Sequence, residues 1–310
     1  MRFPLKDPAS AHAGESLARV IVTHGQLLRV RTADSQELLA RPAYRDLRVV
    51  CGDVVRLRHD ARHNELHVVA IEARSGALYR SNARGASEII AAHLTLLLVV
   101  VAPLPQPDFF VVDRYLAAAR SAGIEALVLL NKSELPVEAQ IGQELSTFAA
   151  AGYAHLAVSA LQGAGLAALQ ARLTGETAML AGQSGTGKSS LLRALVPQTD
   201  AAVGALMRDH TGRHTTTTTR LYSLPQGGEL LDSPGVRDFA PALDRLEPRA
   251  LGFPEIEALS PQCRFADCRH LQEPDCAVRA ALQVSLSARR YESYRRLRRL
   301  HDRLGPHGAP

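Results

Sequence analysis

Gly182 to Ser190 reads GQSGTGKSS and meets the pattern G-x-x-x-x-G-K-[ST] at every fixed position, with Gly182, Gly187, Lys188 and Ser189 at the required spacing. Residues of these types in this order do phosphate chemistry. The glycines let the backbone turn tightly enough for successive N–H groups to face phosphate oxygens. The whole run, Gly182, Gln183, Ser184, Gly185, Thr186, Gly187, Lys188, Ser189 and Ser190, is read as the cradle, with the positive end of a following helix added to it. Lys188 is expected to reach the β- and γ-phosphates of a nucleotide, and the Ser189 hydroxyl to bind Mg²⁺. The context separates this loop from a chance glycine-rich turn. Ala178 to Ala181 is apolar like the end of a buried strand, and Leu191, Leu192 and Leu195 follow at helical spacing.

Four other groups can act on the same ligand. Asn131-Lys132-Ser133-Glu134 ends an apolar run; its carboxylate can accept two hydrogen bonds from guanine N1–H and the 2-amino group, while Lys132 lies along the base plane. Adenine offers no such pair of donors, so the motif selects GTP. Ser159-Ala160 ends another run, and the Ala160 N–H is placed to meet the guanine oxygen. Asp232-Ser233-Pro234-Gly235 is expected to hold Mg²⁺ through water at Asp232 and to touch the γ-phosphate with the Gly235 N–H. The string Gly212-Arg213-His214 opens a tract of five threonines, Thr215 to Thr219. The tract is too polar for a core and too β-branched for a helix, so it reads as a loop, with Thr216 and Thr217 the candidates to complete the Mg²⁺ shell. Many GTPases place a water-orienting Gln after DxxG; here Val236 stands there and can make no hydrogen bond. His214 is the candidate to orient the water as a catalytic group, and the alternative is that it binds RNA or packs the loop.

A second chemistry is written at Cys263-x4-Cys268-x-His270-x5-Cys276. Three thiolates and one imidazole make a closed tetrahedral set suited to one structural Zn²⁺, with no open position for catalysis. Unpaired buried cysteines are the alternative. Downstream, arginines crowd the end of the chain: Arg289, Arg290, Arg295, Arg296, Arg298, Arg299 and Arg303. A helix carrying them could hold a phosphate backbone or be merely solvated. Tyr291 and Tyr294 on the same helix read as core.

These groups need a scaffold, and 310 residues suffice for two or three domains. Residues 1 to 15 lack periodicity and read as disordered. LARVIVT, QLLRVRT, ELLAR, DVVRLR and ELHVVAI are five short β-like segments separated by turns, which suits a small OB-fold barrel over 16–75. Glu72 to Ser87 reads as an arginine- and glycine-bearing linker. Strands and helices then alternate to about 242, implying a mostly parallel sheet whose carboxyl-end loops converge on one crevice. Residues 243–310 complete the chain as a mostly α-helical zinc-binding module. The net charge of +5 is carried almost wholly by arginine; Lys6, Lys132 and Lys188 are the three lysines. No apolar run reaches a membrane span, and MRFPLKDPAS lacks the apolar core of a secretion signal, so a cytoplasmic protein is expected. Single, glycine-adjacent Cys51 reads as a buried structural thiol.

Motif order is the most informative feature. A conventional GTPase runs phosphate loop, threonine loop, DxxG, NKxD, SA; here the last two come first. That permutation, the GxHTTT string from Gly212 to Thr217 and the late cysteine cluster together resemble the RsgA (YjeQ) family of small ribosomal subunit biogenesis GTPases, over the chain from about Leu17 to the arginine-rich end. The resemblance implies an N-terminal OB-fold, a circularly permuted GTPase core and a C-terminal zinc module. It also implies a GTP hydrolase acting as a monomer on the small ribosomal subunit and its rRNA, alongside assembly factors, with hydrolysis slow alone, stimulated by the subunit and triggering release. Glu134 departs from the family's usual Asp by one methylene. Two rival readings stay open here, a P-loop kinase of a small metabolite and a nucleic-acid-binding zinc protein with a vestigial nucleotide site.

Overall fold

A computed structural model describes residues 15–82, 86–196, 219–232, 240–282 and 284–304. Five strands form the N-terminal barrel: β1 (Glu15–His24), β2 (Leu27–Thr32), β3 (Glu37–Pro42), β4 (Val54–Asp60) and β5 (Glu65–Ile71). They run in the order β1-β2-β3-β5-β4, and β4 pairs back onto β1 to close the barrel. Alternation along the strands turns Val20, Val30, Val55, Leu57 and Val68 inward, all but inaccessible to water. Cys51 is buried beside them with its pKa pushed up to about 12 by burial, an inert thiol as expected.

The expected linker over Glu72 to Ser87 is corrected by the structure. It holds strand β6 (Leu78–Ser81), which pairs antiparallel with β7 (Ser87–Ala91) in a separate ribbon. The arginines that made the stretch look solvated are tied down. Arg74 donates to both Asp53 carboxylate oxygens at 2.7 and 2.8 Å and to the Arg48 carbonyl, and Arg80 pairs with Glu88 at 2.9 Å. Gly76, at φ +50°, passes so close to the Leu94 carbonyl that a Cβ there would lie 1.9 Å from its oxygen.

The central sheet comprises β8 (Leu96–Val101), β9 (Glu125–Leu130), β10 (Ala154–Ala157), β11 (Thr177–Ala181), β12 (Thr219–Ser223) and β13 (Glu229–Asp232), in the order β10-β9-β8-β11-β13-β12. All pairings are parallel except β12–β13. Every residue of β8 is buried because both faces of the sheet are covered. Leu96, Leu98 and Val100 pack toward α3 (Leu166–Leu173) and α4 (Lys188–Leu195). Leu97, Val99 and Val101 pack toward α1 (Phe109–Ser121), α2 (Ala139–Ala150) and the C-terminal helices. Asp108 caps α1 by accepting from the Phe110 N–H at 2.9 Å and the Val111 N–H at 3.4 Å. Barrel and sheet are one hydrogen-bonded surface, since β1 also pairs with β12 at Val22–Arg220 and Thr23–Thr219. At this seam buried Arg19 donates to Thr177 at 3.2 Å and pairs with Glu229 at 3.3 Å, while Arg31 reaches Glu229 at 3.4 Å and Ser223 at 3.1 Å.

The C-terminal part holds α5 (Pro254–Leu259), α6 (Ala277–Ala281) and the long α7 (Ala288–Leu304). Tyr291 and Tyr294 are core residues, as expected. The arginines of α7 are not a single solvent-facing array, which corrects that part of the reading. Arg289 pairs with Asp113 at 2.6 Å and Glu144 at 2.5 Å. Arg298 donates to the Pro248 and Arg249 carbonyls, and Arg295 pairs with Glu292. Arg296, Arg299 and Arg303 form the exposed row, with Arg296 also seated 3.9 Å above the Phe110 ring. No helix among the described residues is long and apolar enough to cross a membrane.

Arg290 is 1% exposed and pairs with Asp113 at 2.6 Å and Glu255 at 2.7 Å, so it joins α7 to α1 and α5. Burial opposes its charge; Asp113 and Glu255 overcome that, leaving its pKa above the ordinary arginine value. Its removal takes both hydrogen bonds from Glu255 and leaves Asp113 with Arg289 alone, and loss of one partner of a buried pair costs up to about 3–5 kcal/mol. Arg290→Met is expected to destabilise the protein on that scale, measured as a fall in the denaturant midpoint of the helical signal.

Candidate active site and metal centre

The crevice lies at the carboxyl ends of β8, β9, β10 and β11, and the amide of Asn131 sits at its centre. Asn131 follows β9 and is 1% exposed. Its Nδ2 donates to the Thr186 carbonyl in the phosphate loop at 2.8 Å, and its Oδ1 accepts from the Ala160 N–H at 3.2 Å. One side chain therefore joins three motifs that lie far apart in the chain. Gly187 makes room for it: at φ +91°, a Cβ there would fall 2.3 Å from Asn131 Nδ2. Gly182, at φ +142°, likewise passes the Val100 carbonyl at a distance that a Cβ would cut to 2.3 Å.

The loop runs from the end of β11 into the first turn of α4. Lys188 is 5% exposed, and its ammonium donates to the carbonyls of Gly182 and Gln183 at 2.5 and 2.6 Å. Ser189, half-buried, occupies the second position of α4. The Gln183 side chain accepts from the Asp108 N–H at 2.8 Å, which ties the loop to the cap of α1. Lys132, at φ +58°, donates to the Leu104 carbonyl at 2.7 Å. Ser133 follows, its N–H bonded to the Val158 carbonyl. The Ser159 hydroxyl, hydrogen-bonded to Glu134, holds that carboxyl below the usual glutamate range, so it is ionised at neutral pH. Glu134 Oε2 is shielded from water with no hydrogen-bond partner, the state of an acceptor awaiting a donor from a ligand. Asp232 ends β13, one residue beyond the Leu231–Met179 pair that sets β13 against β11. His214, Thr215, Thr216, Thr217 and Gly235 lie outside the described residues.

Cys263, Cys268, His270 and Cys276 form a second centre, their ligand atoms all within 4.8 Å of one another. The Cys263 and Cys276 sulfurs are 4.0 Å apart, and each is 3.5 Å from His270 Nδ1. Tetrahedral bonds of about 2.3 Å to sulfur and about 2.1 Å to nitrogen put such atoms about 3.5–3.8 Å apart, so the set fits a metal ion. The imidazole is prepared for it. Ser260 Oγ donates to the Ile256 carbonyl at 2.7 Å and lies 3.0 Å from His270 Nε2, so it accepts from Nε2–H and leaves the Nδ1 lone pair toward the sulfurs. Burial, with Arg298 nearby, lowers the His270 pKa and keeps the ring neutral. Burial and the neighbouring sulfurs push the Cys268 thiol up to about 12, so the thiolates need a cation to coexist.

Residues 71–241 match the model of the RsgA GTPase family. A small ribosomal subunit biogenesis GTPase RsgA from Chromohalobacter salexigens is 42% identical over 94% of this chain and 89% of its own length. One from Azotobacter vinelandii is 45% identical over 80% of this chain and 74% of its own length. The chain belongs to the RsgA GTPase family. As an RsgA-family member it is a GTP-hydrolysing enzyme. YjeQ from Thermotoga maritima superposes with a TM-score of 0.71 at 23% identity, covering 92% of this chain and 98% of the other. YloQ, described as a circularly permuted GTPase, superposes at 0.70 and 22% identity, covering 95% and 99%.

Motif reading of this RsgA-family chain missed the residues that shape its metal loop. Glu273 lies between the ligands, and its carboxylate accepts from the N–H groups of Arg269 (2.8 Å), Leu271 (2.9 Å) and Gln272 (3.0 Å). Burial opposes its charge, yet these backbone donors bring the carboxyl down to about 2. A depressed folded-state pKa makes its contribution to stability full above the ordinary glutamate value and lost as pH falls toward about 2. Nothing in the spacing singles it out, since Asp267 and Asp275 lie in the same stretch and its partners are backbone N–H groups. Glu273→Gln is expected to weaken metal affinity by about 10- to 100-fold, read by competition with a chromophoric chelator.

Proposed function

We propose that this GTPase binds the small ribosomal subunit and assists or checks its late maturation, with hydrolysis slow alone, stimulated by the subunit and triggering release. The observation that carries the guanine part is the Asn131 cross-link beside the partnerless Glu134 Oε2, which together offer an edge shaped for guanine. The relatives' names, small ribosomal subunit biogenesis GTPase RsgA, support the subunit as target. Family membership displaces the metabolite-kinase and vestigial-site alternatives.

In this reading Asn131, Lys132, Ser133 and Glu134 hold the base with Ser159 and Ala160, and the backbone of Gly182 through Ser190 wraps the phosphates. Lys188 exchanges its two loop carbonyls for phosphate oxygens. Mg²⁺ carried with the nucleotide would neutralise phosphate charge. Ser189, Thr216 and Thr217 would hold it, with Asp232 acting through water, and the Gly235 N–H would meet the γ-phosphate. The Cys263, Cys268, His270 and Cys276 set holds one structural Zn²⁺, the ion its thiolate and imidazole donors suit. Barrel over 16–75, GTPase core over 76–242 and metal module from 243 onward act as one cytoplasmic monomer. The barrel and the exposed row Arg296, Arg299 and Arg303 face rRNA, where assembly factors would compete for the same surface.

The deciding experiment is GTP turnover with and without purified small subunits. Stimulation is expected, and Lys188→Ala should remove turnover by at least ~10²-fold in a folded protein, since the transition-state charge loses its cation. Turnover unaffected by subunits would overturn the ribosomal reading. His214→Ala tests the water-orienting role: GTP and subunit binding should persist while stimulated hydrolysis falls ~10²- to 10⁴-fold. Full stimulated turnover in that variant would remove His214 from catalysis.

A further inference from the structure

The end of the barrel that carries the β1–β2 turn holds a cavity of about 370 Å³, distant in sequence from every motif of the nucleotide crevice. Its floor is apolar, made by Leu28 of β2, Val49 of the β3–β4 loop and Ile89 of the ribbon strand β7. Its rim is the β3–β4 loop, with Tyr44, Arg45 and Arg48 in succession. The volume lies within the roughly 300–1,000 Å³ that suits a ligand of nucleotide size.

Three features give the cavity a chemical preference. Tyr44 is 59% exposed, whereas the other six tyrosines, at 79, 115, 153, 222, 291 and 294, are buried or half-buried. An aromatic ring left in water beside a hollow is a stacking face without its partner. Arg45 and Arg48 are exposed, and neither guanidinium is paired with a carboxylate among the described residues, in a chain where most arginines of the ribbon, seam and α7 are paired. Glu88, the acidic residue of the lining, is neutralised by Arg80 at 2.9 Å. The hollow therefore combines an apolar floor, one open aromatic face and two available cations.

We propose that this hollow receives an unpaired ribonucleotide of a single-stranded RNA segment, its base stacked on Tyr44 over the floor of Leu28, Val49 and Ile89, its flanking phosphates held by Arg45 and Arg48. The site is composite: the barrel supplies the rim, and the β6–β7 ribbon, which is no part of the five-stranded barrel, supplies Ile89. A base inside a duplex cannot enter, because its faces are already stacked. The inference deepens the ribosomal reading above and rests on it for the RNA's source.

The test uses the full chain and two labelled probes, an oligouridylate of about ten nucleotides, within the site size of such barrels, and an RNA duplex of equal length. The single strand is expected to bind more tightly than the duplex. Tyr44→Ala should weaken single-strand binding about tenfold or more, and Tyr44→Phe should restore it, since the phenyl ring stacks as well. Arg45→Gln with Arg48→Gln should lower the slope of log affinity against log salt by about 0.7 for each phosphate that the protein no longer neutralises. GTP binding by all variants should match the parent, which shows that they fold. Unchanged single-strand affinity in Tyr44→Ala, or a duplex bound as tightly as the single strand, overturns the proposal. Small-subunit binding by the parent is measured in parallel. Its absence would remove the ribosomal reading and leave the hollow to be judged by the oligonucleotides alone.

Discussion

A carboxamide in a dry site must find partners for both its ends, and that constraint organises the catalytic half of this molecule. Asn131 meets it with the Thr186 carbonyl on one side and the Ala160 N–H on the other. Leaving a buried donor or acceptor unpaired costs about 1–3 kcal/mol, so the three loops are held in one arrangement before any ligand arrives. The glycine at 187 is the corollary, because a side chain there would occupy the place of the amide. Permuting the chain does not disturb this cross-link. It depends on where strand ends lie in the sheet, not on which strand is made first.

The motifs that could be read in the sequence are those whose chemistry is local. The phosphate loop, Asn131 to Glu134 and Ser159-Ala160 each sit at a strand end, where a short string of residues carries both the turn and the function. The five barrel strands and the alternation of β8 through β13 were legible for the same reason, since periodicity is a property of neighbours. What escaped has partners far along the chain. Arg290 reads as one more cation of a basic helix until Asp113, 177 positions away, is brought to 2.6 Å from it. The β6–β7 ribbon escaped because its strands are short and its arginines resemble a solvated linker, until Asp53 and Glu88 are seen to neutralise them. Glu273 escaped because its work is done on backbone N–H groups, which no side-chain pattern records.

The choice of cation follows the geometry of the acceptor. Where the partner is a carboxylate, the planar fork of arginine is used, as in Arg74 with Asp53 and Arg290 with Glu255, each making two hydrogen bonds. Both described lysines instead point at main-chain carbonyls around the crevice, Lys188 at Gly182 and Gln183 and Lys132 at Leu104. A single ammonium on a flexible stem can leave a carbonyl for a phosphate at small cost, whereas a two-pronged ion pair is harder to surrender. Fixed joints and exchangeable contacts are thus assigned to different residue types.

The pairing of β1 with β12 makes the barrel more than an appended module. β12 would otherwise be the outer strand of the central sheet, with a row of unpaired N–H and C=O groups along one side. The barrel pairs with the first two residues of that strand, Thr219 and Arg220, and sets Arg19 and Arg31 on Glu229, a carboxylate that is 7% exposed. A catalytic core cut free of its barrel would therefore bare the backbone at Thr219 and Arg220 and leave Glu229 without either of its arginine partners. The seam thus satisfies backbone and charge that the hydrolytic half does not satisfy by itself, which makes the barrel a structural part of the sheet it abuts.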